Sequence, residues 1–317
     1  MPTLFSKTFI QLIKLINFNP ELNDDIIGST KKIQKLGLFA KPVGFSITKY
    51  DVDGLYMESF SRNGVYPKKC VYLIHGGAFI AGLSNLYREP YLRYHKASHG
   101  GAVFNIDYRV APENTYPAAH DDVLKGWTYI TENLGYSPKD IVVVGDSAGG
   151  NLTLSLLLKL RDENKELPKA AVVMSPWCDL SGSTESYRYN YKKDPMFGNA
   201  KGEVTPENIE KLLQCEVYSY AGDTDRKNPY LSPYYGDYSG MPPIHISVGS
   251  HELLYDEVMT VAKKIEDAGG KVQLHVGEGM FHVFPLFWKI LPEAKKAFDE
   301  INSFISEHTE TYQVTCQ

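Results

Sequence analysis

Cysteine is sparse in this 317-residue sequence, and its four copies (Cys70, Cys178, Cys215 and Cys316) are widely spread with no C-x-x-C pair. Neither a disulfide framework nor a structural zinc site is expected from that spacing, and reduced thiols in a cytosolic (cytoplasmic) compartment fit it best. A basic surplus is missing too: 33 Lys and Arg face 38 Asp and Glu, a formal net charge of −5, with no Lys/Arg cluster. Neutralising phosphates takes a basic surface, so nucleic acid is not an expected partner. No stretch approaches the ~20 apolar residues of a membrane span. The opening segment is interrupted by Lys7, Gln11 and Lys14, and no small-residue cleavage site follows, so it reads poorly as a signal peptide. Its Phe5, Phe9, Leu12, Ile13 and Ile16 fall at helical spacing. They predict a helix packed on the protein's own body, with membrane-surface contact as the alternative.

What remains is an ordinary soluble composition, 43% hydrophobic and 22% charged, with ample chain for a large core. From residue 45 onward, short apolar runs alternate with helical stretches. FSITKYD (45–51) and LYMESF (55–60) flank a turn at Asp53-Gly54 and read as an antiparallel hairpin. VYLI (71–74), AVFNIDY (102–108), IVVV (141–144), AAVVM (170–174), IHISV (244–248) and VQLHV (272–276) follow. Continuous β-branched runs suit strands covered on both faces. Helix-compatible segments lie near 117–134, 148–165, 254–268 and 292–307. The alternation predicts an α/β fold with a mostly parallel sheet and helices on both sides. Residues 1–44 and about 180–240 do not fit it. The second is an insertion rich in Tyr, Gly, Pro, Ser and charge. Together they are expected to form a lid over the sheet's C-terminal edge, where α/β folds place their sites; the other reading of the insertion is a loosely ordered loop.

One motif carries chemistry most clearly. Gly145-Asp146-Ser147-Ala148-Gly149 is a G-x-S-x-G set between an apolar strand and a Leu-rich helix, the context that a nucleophile elbow needs. The glycines let strand and helix approach in a sharp turn that exposes the Ser147 hydroxyl, and the N-terminus of the helix favours developing negative charge. A second element, Leu73-Ile74-His75-Gly76-Gly77-Ala78-Phe79, follows a strand. An attacked carbonyl becomes an oxyanion, which backbone N–H groups must already face. Gly76, Gly77 and Ala148 are the expected donors, and His75 is expected to brace the loop rather than to act as a base. Neither G-x-G-x-x-G nor G-K-[ST] is present, which removes a phosphate-binding reading.

HGGA (75–78), YRVAPENTYPAAHDD (108–122), GDSAGG (145–150), SPWCDLSG (175–182), LSPYYGDYSGMPPIHISVGS (231–250) and GMFHVF (279–284) together resemble the hormone-sensitive-lipase-like esterases and lipases, in order and in spacing. The resemblance runs from about residue 45 to the C-terminus. It implies an eight-stranded α/β-hydrolase core over 45–317, a helical cap built from residues 1–44 and the insertion at about 180–240, and no cofactor. It also implies that His282, past the last strand, is the base. The family usually reads D-P-L-x-D-E where this chain has E-L-L-Y-D-E (252–257), which lays Glu252 over the catalytic acid and leaves Asp256 as the fallback. Ala78 departs from the family's third glycine. With donors at Gly76 and Gly77, activity should survive that change. His251-Glu252 lacks the second histidine of H-E-x-x-H, since Tyr255 stands there, and His95 with His99 is expected on a solvated face rather than at a metal.

The expected reaction is hydrolysis of a small-molecule carboxylic ester with short acyl chains, through an acyl-enzyme intermediate. Ser147 attacks, His282 shuttles the proton and Glu252 orients the imidazole, with no metal. Phe79, Asp146 and Trp177 are candidate substrate-side residues, although core packing explains Phe79 and Trp177 almost as well and Asp146 is expected to support the elbow or lid. Amide or peptide hydrolysis with the same triad is one alternative; a non-catalytic ligand-binding receptor on this fold is another. The sequence leaves the oligomeric state open, a homodimer included.

Overall fold

The computed structural model describes residues 2–15, 17–35 and 37–310. Ile16 and Cys316, used above, lie outside the described residues. The strands are β1 (Phe45–Val52), β2 (Leu55–Arg62), β3 (Cys70–Ile74), β4 (Ala102–Asp107), β5 (Ile141–Asp146), β6 (Ala170–Met174), β7 (Ile244–Gly249) and β8 (Val272–Gly277). They form one eight-stranded sheet in the order β1-β2-β4-β3-β5-β6-β7-β8. β2 pairs antiparallel with β1 and with β4, and the pairs from β4 through β3, β5, β6 and β7 to β8 are parallel. The hairpin closes at Asp53 (φ 49°) and Gly54 (φ 84°), the left-handed pair whose twist matches the flanking strands.

The helices are α1 (Leu4–Ile13), α2 (Ile26–Gln34), α3 (Tyr91–Ala97), α4 (Ala118–Thr128), α5 (Ser147–Asp162), α6 (Ser186–Tyr189), α7 (Pro206–Leu213), α8 (Tyr255–Asp267) and α9 (Pro292–Thr309). Alternation along the central strands sends successive side chains to opposite faces. Val142 and Val144 pack with Tyr94 of α3 and with Phe298 and Ile301 of α9. Tyr72, Val143 and Val173 pack with Val123 of α4, Leu157 of α5 and Val261 of α8. Both faces are thus apolar, which explains the continuous β-branched runs. The C-terminal ends of β3, β5, β7 and β8 open toward one edge, where the insertion and the N-terminal segment lie. Those two segments are tied together: Asn17 Nδ2 donates to Pro195 O and Gly198 O at 3.0 and 2.9 Å, and Tyr191 Oη donates to Glu21 at 2.6 Å.

Two expectations need correction. α1 does pack on the body, through Ser6, Phe9 and Ile13, but Phe5 and Leu12 are each 57% exposed. The expected single apolar face is split in two. His95 is not on a solvated face. It is buried on α3, with Nδ1 2.8 Å from Gly101 O and its ring edge-on to Phe45, whereas His99 stands beyond the helix with φ 53°.

A buried charge anchors the loop that precedes α3. Glu58 on β2 accepts both Arg88 Nε and Nη2 at 2.7 Å, and the hydroxyls of Tyr56 and Tyr91 at 2.8 and 2.7 Å. Those donors hold its carboxyl below the usual range even though burial, the largest single influence, pushes it up. Removing only the cation leaves an uncompensated charge. Arg88→Met is therefore expected to cost roughly 3 kcal/mol, read as a lower urea midpoint at unchanged slope.

Candidate active site

β5 ends at Asp146 and α5 begins at Ser147 with no loop between them. Such a crossing requires backbones in contact. A Cβ on Gly145 would stand 2.2 Å from Gly149 O, and one on Gly149 would stand 2.1 Å from Ile74 O. Ser147 takes the strain, with φ 52°, a left-handed conformation that costs an L-residue roughly 1–2 kcal/mol.

The structure brings Ser147, His282 and Glu252 together. Ser147 Oγ lies 2.8 Å from His282 Nε2, and His282 Nδ1 lies 2.9 Å from Glu252 Oε2. Both spacings fit a nucleophile, a base and an orienting acid. All three side chains are buried. Glu252 uses its other oxygen to accept Ser175 Oγ at 2.7 Å and the Gly249 N–H. The same Ser175 hydroxyl accepts the N–H of Val283 at 3.0 Å, so it couples the acid's loop to the histidine's. Ser175 escaped the sequence reading; its place directly after β6, at the head of SPWCDLSG, was the available signal. Residues of the insertion fix the acid from outside. Asn190 Nδ2 donates to Glu252 O at 2.8 Å, and Asp194 accepts the Leu253 N–H at 2.9 Å. Asp256 faces elsewhere. It opens α8 and accepts the Ser186 N–H at 2.8 Å and the Tyr189 hydroxyl, which ties the helix to α6.

One of the three expected oxyanion donors is already engaged. Gly76 donates its N–H to Asp146 Oδ1 at 3.1 Å and is not available to a substrate. Among the described residues, no intramolecular acceptor meets the N–H of Gly77, Ala78 or Ala148. Ala148 sits in the first turn of α5, beside the nucleophile. Gly77 and Ala78 have φ of 116° and 54°, so the residue at the third glycine position is left-handed although it carries a Cβ. His75 braces this loop as expected: its Nδ1 is 2.7 Å from Gly76 O and its ring stacks on Tyr108 at 4.1 Å. Burial pulls its imidazole down to about 4, which keeps it neutral.

The three substrate-side candidates divide. Trp177 lines a cavity that reaches Ser147. Phe79 does not reach the site. It is fully buried, stacked at 4.2 Å on Tyr220 and tilted against Trp177, so it backs the wall from within the core. Asp146 borders the groove on the other side of Ser147, but its oxygens are committed to Gly76 and, at 3.0 Å, to the Tyr87 hydroxyl. It joins the elbow to the loop that follows β3.

Burial raises the Asp146 carboxyl to about 6, against the lowering pull of Tyr87, His282 and Gly76. It is ionised above that pH, where it accepts from the loop, and protonated below it. Loss of that ionised brace is therefore expected to add a proton-linked fall in kcat/KM below about pH 6, and Asp146→Asn to remove it; an acid limb unchanged by Asp146→Asn would contradict the brace. Relief of the left-handed strain at Ala78 is expected to make Ala78→Gly more stable by about 1 kcal/mol, read by urea denaturation.

Known proteins give this geometry a context. Residues 71–286 match a family model described as alpha/beta hydrolase fold. An esterase of Acinetobacter venetianus is 35% identical over 235 residues, covering 74% of this chain and 73% of that protein. An acetyl-hydrolase of Streptomyces hygroscopicus is 31% identical over 236 residues, covering 74% and 75%. Among solved structures, an esterase from the bacterial hormone-sensitive lipase family superposes with a TM-score of 0.82 at 28% identity, covering 98% of this chain and 100% of that one. The chain belongs to the alpha/beta hydrolase fold family, in the company of its hormone-sensitive-lipase-type esterases.

Proposed function

We propose that this chain is a serine carboxylesterase in which Ser147, His282 and Glu252 act as nucleophile, base and orienting acid. The observation that carries the reading is the buried chain of contacts at 2.8 and 2.9 Å from Ser147 through His282 to Glu252, with unused N–H groups beside the serine. Ser147 Oγ attacks the ester carbonyl while Nε2 of His282 takes its proton. The carbonyl oxygen gains negative charge and is met by Gly77, Ala78 and Ala148 N–H. As the tetrahedral carbon collapses, the C–O bond to the alcohol breaks, and the imidazolium returns the proton to that oxygen. Water then attacks the acyl-serine with the same base and releases the carboxylic acid. Glu252 accepts from Nδ1–H, which holds the tautomer and stabilises the transient imidazolium.

The names of relatives agree, since they include esterases, acetyl-hydrolases and a carboxylesterase. Residues 1–44 and the insertion are read as a cap over the site, a role supported by their mutual hydrogen bonds and by the hold of Asn190 and Asp194 on the acid's loop. The substrates are small esters that reach the site from water. Among the described residues, no helix is long and apolar enough to cross a membrane. A receptor built on this fold has no need of a histidine poised on the serine, and His282 is so poised.

The assignment of the acid is tested by two near-isosteric variants on one short aryl ester. Glu252→Gln is expected to fold normally and to lose about 10⁴-fold in kcat, the effect of removing the acid's charge in a serine protease triad. Asp256→Asn is expected to keep most of kcat and to lower the melting temperature through the contact with α6. The opposite pattern would exchange the two roles.

A further inference from the structure

Four consecutive carbonyls in the stretch between β6 and β7 are met by one tripeptide of the N-terminal segment. Asn17 Nδ2 donates to Pro195 O and Gly198 O at 3.0 and 2.9 Å, the Phe18 N–H donates to Met196 O at 2.7 Å, and Asn19 Nδ2 donates to Phe197 O at 2.9 Å. Asp194 closes the same turn from its other side. Its Oδ1 accepts the N–H groups of Met196 and Phe197 at 2.8 and 3.0 Å, and its Oδ2 accepts that of Leu253 at 2.9 Å. Asp194 and Asn19 are both buried. The turn is also tight at Gly198, where a Cβ would stand 2.1 Å from Tyr191 O. A turn gripped on both sides carries its side chain to a fixed place, and that side chain is Phe197.

Phe197 meets His282. Its ring centroid lies 4.8 Å from that of the imidazole at an interplanar angle of 71°, and 5.8 Å from that of Phe18. The contacts of His282 with Ser147 and Glu252 engage its two ring nitrogens. They fix a line through the imidazole but do not oppose rocking about that line. A packed contact beside the line does oppose it. We propose that Phe197 is a positioning residue for His282, and that the N-terminal segment acts on the reaction through it by clamping the turn at 194–198. The inference rests on the ester-hydrolase reading above, in which His282 is the base.

A base displaced by about 1 Å costs about 10²-fold in rate even when the change lies outside the reacting groups. Phe197 also borders both cavities that reach Ser147, so positioning has to be told apart from service as a wall. Loss of position lowers kcat for every ester alike, whereas loss of a wall changes KM and depends on the ester. Asn19 separates the two further. It borders neither cavity, and its Nδ2 donates to Phe197 O and, at 3.3 Å, to the Tyr191 hydroxyl. Its replacement therefore reaches the reaction by way of the turn.

The test combines kinetics on an aryl acetate and an aryl butanoate with the low-field proton resonance of His282 Nδ1–H, which needs no substrate and is assigned by its loss in His282→Gln. Phe197→Ala is expected to lower kcat about 10²-fold on both esters with KM nearly unchanged, and to broaden the resonance through exchange with water. Phe197→Leu, which keeps a packed apolar group beside the imidazole, is expected to lose much less. Asn19→Asp sets an acceptor against Phe197 O and is expected to lower kcat about tenfold on both esters and to broaden the same resonance; it carries the test should Phe197→Ala fail to fold. Unchanged kcat in either folded variant, or a raised KM with the resonance still sharp, would overturn the proposal. A parent protein that turns over no ester would refute the ester-hydrolase reading instead, and the resonance would still report whether Phe197 steadies His282.

Discussion

Everything in this site depends on the close crossing of β5 and α5. Helix and strand come near enough that Gly145 has no room for a Cβ beside Gly149, while Gly149 has none beside the end of β3, and the turn between β5 and α5 shrinks to Ser147 itself. Burial of α5 against the sheet holds the crossing in place: Leu152, Leu154, Leu157, Leu158 and Leu160 are all within the core. The strain at Ser147 is small beside that packing. One geometric constraint thereby sets the direction of the hydroxyl, the position of the Ala148 N–H and the point at which His282 must arrive.

Electrostatics complete what packing begins. A carboxylate buried as fully as Glu252 persists only when its lone pairs are met, and Ser175, Gly249 and His282 meet them. The neighbouring carboxylate, Asp146, is met by Gly76 and Tyr87. One buried acid faces His282 and the other faces the loop at Gly76. The first is further secured by Asn190 and Asp194, from the stretch between β6 and β7.

Much of this was legible in the sequence, for identifiable reasons. The central strands were readable because a sheet covered on both faces demands unbroken apolar runs. Ser147 was readable because strand, G-x-S-x-G and helix occur in one short stretch. The positions of His282 and Glu252 rested on resemblance, since no local pattern says which loop will reach a serine more than a hundred residues away in the chain. Of the three expected donors, only Gly76 proved to be engaged, because Asp146 captures its N–H, a long-range bond with no local signature. Between the two readings of Phe79 the sequence could not choose: an aromatic beside this loop turns inward when a partner such as Tyr220 offers a stack at 4.2 Å. His95 likewise found a buried acceptor in Gly101 O, although its spacing from His99 read as a polar face.

The account stands or falls on a covalent acyl group at Ser147. The most direct measurement is an acid quench of the protein during turnover of an activated butanoate ester, followed by intact mass and peptide mapping. A mass increase of one butanoyl group, confined to the peptide that carries Ser147 and lost on further incubation before the quench, is the expected result. Turnover with no acyl adduct, or with the adduct on another residue, would contradict it.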